Sequence, residues 1–336
     1  FQVCMLSLSA LIVPVAYIAM PKSPQASETI SLVVFFAAFS GLLMSAFMKV
    51  MFFSKNFEMA NDAISKLESL FDEMDKNKLA HGDVSDMTSH DIDFSGVTFR
   101  YEEGVDVLTD FNLKLESGKK YALVGSSGSG KSTIAKLISG FYPVSSGELK
   151  IGGVDISKYK RETLEHEIAF VFQNAKLFKT SIYENVKIGR PDASREEVLK
   201  ALDLAMCGSI LDKFETREDT IIGAKGVHLS GGETQRIAIA RAILKDAPII
   251  ILDEASAASD PENEYEMQQA FSKLMEGKTV IMIAHRLSSI RNVDEILVVE
   301  DGKVTERGSH DELMKKDSKY KNLQNLYNQA NEWRLS

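Results

Sequence analysis

The run Gly125, Ser126, Ser127, Gly128, Ser129, Gly130, Lys131, Ser132 and Thr133 sets three glycines ahead of a lysine and two hydroxyls. Without Cβ atoms the backbone can curl round an anion, and successive N–H groups can point at phosphate oxygens. Lys131 would bring an ammonium to the β- and γ-phosphates of a nucleotide, and the Ser132 hydroxyl would ligate Mg²⁺. Other stretches end in groups suited to the same chemistry. Asp253 and Glu254 close the apolar run that begins at Pro248: Asp253 is placed to hold Mg²⁺ through water, Glu254 to orient or deprotonate a water attacking the γ-phosphorus. His285 ends the run that begins at Thr279, where it would donate a hydrogen bond that senses the γ-phosphate. Gln173 ends the run that begins at Glu167 and can reach a metal-bound or attacking water, or can equally be a solvent-facing strand terminator.

These groups need strands that end at one edge. Tyr121 to Val124, leading into the glycine run and then into Ile134, Ala135 and Leu137, reads as strand, loop and helix. Residues 249–252 are apolar throughout, as in a parallel strand buried on both faces. Open α/β sheets put ligands at the carboxyl edge of such strands. The alternative, a bland Ser/Gly-rich surface turn, is disfavoured by that flanking strand and helix.

A second anion-binding arrangement follows. Leu229, Ser230, Gly231 and Gly232 head the apolar stretch 237–244, which offers a hydroxyl, bare backbone N–H groups and a helix N-terminus. One nucleotide seldom needs two such devices, so this one is expected to complete a site on a partner subunit. Ahead of the glycine run, Ile92, Phe94, Val97, Phe99, Leu113 and Leu115 are spaced as in half-buried strands, which predicts a small β subdomain. Tyr101 closes the first of them. Polar helical stretches over 194–214 predict a helical insertion, 296–304 a closing hairpin, and the remainder a polar C-terminal helix.

The chain has 336 residues and 44% hydrophobic content, enough for a substantial core. Lys+Arg 39 against Asp+Glu 48 gives a net charge of −9, which argues against a nucleic-acid partner. Cys4 and Cys207 suggest neither a disulfide framework nor a metal cluster, as fits a reducing compartment.

The amino-terminal part is different in kind. Residues 1–20 and 31–48 carry no charge, and each is about long enough to cross a hydrocarbon core. A polar, proline-containing turn separates them, which predicts an antiparallel transmembrane hairpin. A cleaved signal peptide would need a basic start that residues 1–20 lack. The chain opens on Phe1 inside an apolar run and is expected to continue a longer protein. Lys49 and Lys55 place the end of the second span, and all that follows, on the cytoplasmic side. Phe57, Ala60, Ile64, Leu67, Phe71 and Met74 then recur at helical spacing, predicting a helix with one packed face. The polar residues 75–90 read as a linker. The expected organisation is a partial transmembrane domain over 1–56 (spans 1–20 and 30–53), a helical extension and linker over 57–90, a catalytic domain over 91–326 and a tail over 327–336.

The glycine run, Gln173, the Leu229 to Glu233 stretch, the strand ending in Asp253 and Glu254, and His285, in this order, closely resemble the ATP-binding cassette of ABC transporters. Leu229, Ser230, Gly231 and Gly232 are the most discriminating part, since other phosphate-loop ATPases lack them. With the membrane segments ahead, the chain resembles the C-terminal part of an exporter-type half-transporter. The implied fold is α/β: a P-loop NTPase cassette with a small antiparallel β subdomain and a helical subdomain, preceded by two transmembrane helices.

The resemblance also implies roles. Tyr101 matches the aromatic that stacks on adenine, and Ser132 with Gln173 the Mg²⁺ ligands. Glu254 matches the catalytic base, His285 the switch histidine, and Ser230 to Gly232 the signature that contacts ATP across a dimer. Asp260 falls in the loop that links the two sites. The implied cofactors are ATP and Mg²⁺; the implied partners are a second half-transporter, identical or different, a transported substrate and membrane lipid. The setting is an inner membrane crossed several times, with the cassette cytoplasmic. Three departures stand out: Gly223, Ala224, Lys225 and Gly226 where Gly-Glu-x-Gly is common, the sequence Ala257, Ala258, Ser259 before Asp260, and Glu233 where Gln is common. The second is similar to exporter-shaped importers of metal–siderophores, so direction stays open with export preferred. A non-hydrolysing ATP-binding regulatory module and a soluble cassette ATPase are the rival readings.

Overall fold

The computed structural model describes residues 15, 18, 24–76, 79–102, 104–223, 227–253, 261–284 and 290–335. Glu254, Asp260, His285, the loop residues Ala224, Lys225 and Gly226, and nearly all of the expected first span lie outside them. The described residues divide into two compact units, the first ending at Lys76.

Helix α1, Pro24–Lys76, accounts for most of the first unit and runs 53 residues without a break. Pro24 is tolerated as its opening residue because proline's missing N–H would have no intrahelical partner there, so the expected polar turn is shorter than its composition suggests. Residues Val34–Met74 hold an 18-residue window of mean hydropathy 1.8. At 1.5 Å per residue the helix is about 80 Å long, against about 30 Å of hydrocarbon. It is therefore long enough to cross a bilayer and to continue well beyond it. The stripe expected to pack is open: Phe57, Ile64, Leu67, Phe71 and Met74 are each more than half exposed among the described residues.

The second unit begins with a segment the sequence disguised. Residues 79–91 have no regular period, yet Leu79 is buried at 5% exposure in the domain core. The Gly82 and Val84 N–H groups donate to the carbonyls of Tyr159 and Lys158 at 3.1 and 3.0 Å, and Lys160 N–H donates to the Val84 carbonyl at 2.9 Å. This stretch is strapped along the domain rather than free of it.

Strands β1 (Ile92–Arg100), β2 (Asp106–Leu115), β4 (Ser146–Ile151) and β5 (Val154–Asp155) form an antiparallel sheet of order β2-β1-β4-β5. In β1 the buried side chains change parity, from Ile92 and Phe94 to Val97 and Phe99. A bulge at Ser95 and Gly96 makes the change, with Gly96 in the left-handed region at φ 59°.

Between β2 and β4 come β3 (Lys120–Val124) and helix α2 (Lys131–Ile138). Then follow α3 (Arg161–Glu167), β6 (Ile168–Val171), α4 (Ile182–Lys187), α5 (Arg195–Leu204), α6 (Gly208–Leu211) and α7 (Gly231–Lys245). The chain closes with β7 (Ile249–Asp253), α8 (Pro261–Leu274), β8 (Thr279–Ile283), β9 (Glu295–Glu300), β10 (Lys303–Gly308), α9 (His310–Lys315) and α10 (Lys319–Leu335). The second sheet has order β10-β9-β3-β8-β7-β6, parallel except for β10.

Because strand side chains alternate, this sheet feeds two cores. Leu123, Ile251 and Ile283 face one, which holds the buried side of α2 and the antiparallel sheet. Val124, Leu252 and Met282 face the other, which holds α4 to α8. Helices α2 and α7 therefore pack on opposite faces of the sheet.

Candidate active site

The glycine run lies at the carboxyl end of β3, near the middle of the parallel sheet. Its shape is fixed by what surrounds it. Gly125 has φ 146°, and a Cβ there would come within 2.1 Å of the Val299 carbonyl oxygen. The turn between β9 and β10 props the loop from beside it, Gly302 N–H donating to the Ser129 carbonyl at 3.1 Å. Ser126, Ser127 and Gly128 are exposed, whereas Ser129, Gly130, Lys131 and Thr133 are buried. Lys131 opens α2, and Gly130 ahead of it offers no side-chain cap, so the first N–H groups of this helix face the concavity of the loop.

Lys131 is drawn into the loop. Its Nζ donates to the Gly125 and Ser126 carbonyls at 3.0 and 2.6 Å and to Ser129 Oγ at 3.2 Å. Burial lowers its pKa from the usual lysine value, and the negative charge of Asp253 works in the opposite direction. Asp253 is level with Leu123, since Ile283 pairs with both across β8. Ser132 is exposed at the head of α2. Gln173 lies just past β6, exposed in a turn. The strand expected over 167–173 is shorter at both ends: Glu167 still belongs to α3, and Phe172 is already exposed.

Tyr101 directly follows β1 and is 42% exposed. Phe99 and Tyr142 brace its ring edge-on, with centroids 4.9 and 5.3 Å away. Its hydroxyl is 3.2 Å from Thr133 Oγ1, and the Lys136 ammonium stands 5.5 Å over the ring. An aromatic platform and the phosphate-loop helix are thus tied together. The Lys136 contact and the Gly302 prop had no signal in the sequence, because both join residues from separate elements.

The second device sits on the other face. Ser230 caps α7 by a reciprocal pair: Ser230 Oγ accepts from Glu233 N–H at 3.2 Å, and Glu233 Oε2 accepts from Ser230 N–H at 2.7 Å. This capping box was legible as a serine three residues before a glutamate. Ser230 and Gly231 are exposed. A Cβ on Gly231 would meet nothing within 4 Å, and one on Gly232 only the Asn263 Cβ at 4.0 Å. Neither glycine has a positive φ. Two glycines in a first helical turn are costly, and nothing within the described residues requires them.

The donor set suits a magnesium nucleotide: a buried ammonium, a capless helix N-terminus, an exposed hydroxyl and a strand-end carboxylate at one sheet edge. The structure brings together Gly125 to Thr133, Tyr101 and Asp253, and it puts Ser230, Gly231 and Gly232 on a helix of the opposite face.

The family described as ABC transporter matches residues 108–257. The ATP-dependent lipid A-core flippase of Salmonella paratyphi A is 45% identical over 245 residues, 72% of this chain and 42% of the flippase. That of Neisseria meningitidis serogroup A is 43% identical over 271 residues, 80% of this chain and 43% of the flippase. A Bacillus subtilis (strain 168) ATP-binding/permease protein named for multidrug export is 44% identical over 238 residues, 70% of this chain and 41% of that protein. The matched part of the chain thus spans about two fifths of the length of these relatives. Among solved structures, a bacterial Atm1-family ABC exporter with ATP bound superposes with a TM-score of 0.70 at 31% identity, covering 86% of this chain and 51% of that one. With the phosphate loop, the capped Ser-Gly-Gly helix and the two-sheet architecture all present in one unit, the chain carries the ATP-binding cassette of the ABC transporter family.

Proposed function

We propose that this chain is part of an exporter-type half-transporter which hydrolyses ATP, as a dimer with an identical or different half, to move a substrate across a membrane. One observation carries the reading: α2 behind the phosphate loop and α7 behind the Ser230 tip pack on opposite faces of one sheet, and the tip keeps two glycines that nothing among the described residues requires. Close approach of a group from outside the described residues would account for them. A nucleotide held on the loop of a partner subunit fits, since the tip offers a hydroxyl proton and the free N–H groups of Gly231 and Gly232 to an anion.

Within one half, Tyr101 would carry the adenine. Backbone N–H groups of residues 125–133 and the Lys131 ammonium would bind the phosphates, the ammonium exchanging its carbonyl partners for phosphate oxygens. Ser132, Gln173 and Asp253 would hold Mg²⁺, which when bound neutralises charge on the β- and γ-phosphate oxygens. Glu254 would take the proton of the attacking water as the bond to the β-phosphate oxygen breaks, and His285 would donate to the γ-phosphate. Such catalysis is positional and electrostatic. Closure would reach the membrane through α1 and through the surface beside Gln173. We place the protein in an inner membrane that it crosses several times, with the cassette cytoplasmic. Export is preferred over metal–siderophore import because the compared relatives are named for export or flipping.

The test is Glu254→Gln in the full-length protein in lipid. Hydrolysis should fall to near background while ATP binding persists, and retained turnover overturns the assignment. Lys131→Ala should abolish photocrosslinking of a labelled nucleotide; unchanged labelling overturns the role of the loop.

A further inference from the structure

The helix tip assigned above to the partner's phosphate has a carboxylate as its third residue. Glu233 is 7% exposed, and its Oε2 is fixed on Ser230 N–H at 2.7 Å. A buried negative charge one turn below the tip opposes the positive end of the α7 dipole, which is the field an incoming phosphate needs. A glutamine there would cap without that charge. In this chain the other carboxylate oxygen, Oε1, lies 2.5 Å from Lys213 Nζ. Lys213 comes from two residues past α6, a short helix anchored in the core by Ile210 and Leu211.

From this arrangement we infer that Lys213 is a positioning residue for the nucleotide of the partner subunit, cancelling the Glu233 charge so that the Ser230 tip remains attractive to a γ-phosphate. The inference rests on the shared-site reading above. Burial acts to raise the Glu233 pKa, and the Lys213 ammonium together with the Ser230 hydrogen bonds outweighs it, so the carboxylate is ionised at neutral pH and the compensation is needed there. The geometry also divides the labour at the tip. Ser230 N–H is spent on Glu233, and Ser230 Oγ is spent as an acceptor. Its hydroxyl proton and the Gly231 and Gly232 N–H groups are left for the anion. The Lys213 side chain is 58% exposed, so it adds charge without being a core residue.

The experiment is a double-mutant cycle on ATP hydrolysis by the full-length protein in lipid. Lys213→Met should raise KM for ATP roughly tenfold while changing kcat much less, because a charge that acts through Glu233 without touching the nucleotide affects binding through a partly screened medium. Lys213→Arg should restore KM. In a Glu233→Gln background, Lys213→Met should have no further effect. The inference is overturned if Lys213→Met leaves KM unchanged, or raises it equally in both backgrounds, as a purely structural role would. Ser230→Ala separates the two levels. If it raises KM while Lys213→Met does not, only the inference falls; if it leaves KM unchanged, the shared-site reading falls and takes the inference with it.

Discussion

Leu123 and Asp253 stand at the same height in the parallel sheet, each paired with Ile283 from opposite sides. Leu123 lies two residues before Gly125, so the register alone sets the Asp253 carboxylate beside the phosphate loop. Its charge is felt by Lys131, whose pKa it pushes upward against the effect of burial. For Asp253→Asn the Mg²⁺ concentration giving half-maximal ATP hydrolysis should rise about 10- to 100-fold, as when an outer-shell partner of a metal is lost. A Mg²⁺ titration superimposable on wild type would refute the metal role.

Tyr101 offers a ring and a hydroxyl that can be separated. Base stacking on an aromatic is worth about 1–3 kcal/mol. Tyr101→Ala should therefore weaken ATP binding by roughly 5- to 150-fold, whereas Tyr101→Phe, which loses only the contact with Thr133, should stay within a few-fold of wild type. Equilibrium binding of a fluorescent ATP analogue measures both. Equal losses in the two variants would mean that the hydroxyl, not the ring, does the binding.

At Gly231 stability and activity should move in opposite directions. The backbone there is helical and an added methyl finds open space. Alanine is favoured over glycine in helices by up to about 1 kcal/mol. Gly231→Ala is thus expected to leave the melting temperature unchanged or raised, and to cut ATP hydrolysis by more than tenfold by crowding the approaching phosphate. A destabilised variant, or full activity, would contradict the account of this tip.

Acid should loosen the helix starts together. Glu197, Glu233 and Glu312 each close a capping box with a serine, and each has its pKa held below the ordinary glutamate value. For Glu197 and Glu312 the bond from the capping serine's N–H is the first cause. A carboxylate with a depressed folded pKa stabilises the native state fully above its unfolded value near 4.5, and that contribution fades as pH falls through the folded value. Melting temperature should therefore respond little to these groups between pH 7 and pH 5 and fall below about pH 4.5. Replacing all three by Gln should flatten that fall; an unchanged slope would show the boxes to be neutral in stability.

How much of this was legible differs residue by residue. The phosphate loop, the strand ending in Asp253 and the Ser230 tip could be read directly, because each is a local pattern whose residue types and spacing carry their own mechanism. The strap over 79–91 could not. Leu79, Val84 and Met87 follow no helical or strand period, and Leu79 is buried because the fold brings it against Gly140 at the edge of the domain core. The stripe from Phe57 to Met74 differs in the other way: its period gave the helix, and among the described residues it stays exposed.

The sequence by itself determined which groups could bind phosphate, the helix and strand that present them, and an uncharged stretch able to cross a membrane, since all of these depend on residues close together in the chain. Only the tertiary structure decided that the helices behind the glycine loop and behind the Ser230 tip belong to opposite faces of a sheet, that Gly302 props the phosphate loop, and that Lys213 meets Glu233. Those relationships follow from strand order and helix packing between distant segments, and no local spacing encodes them.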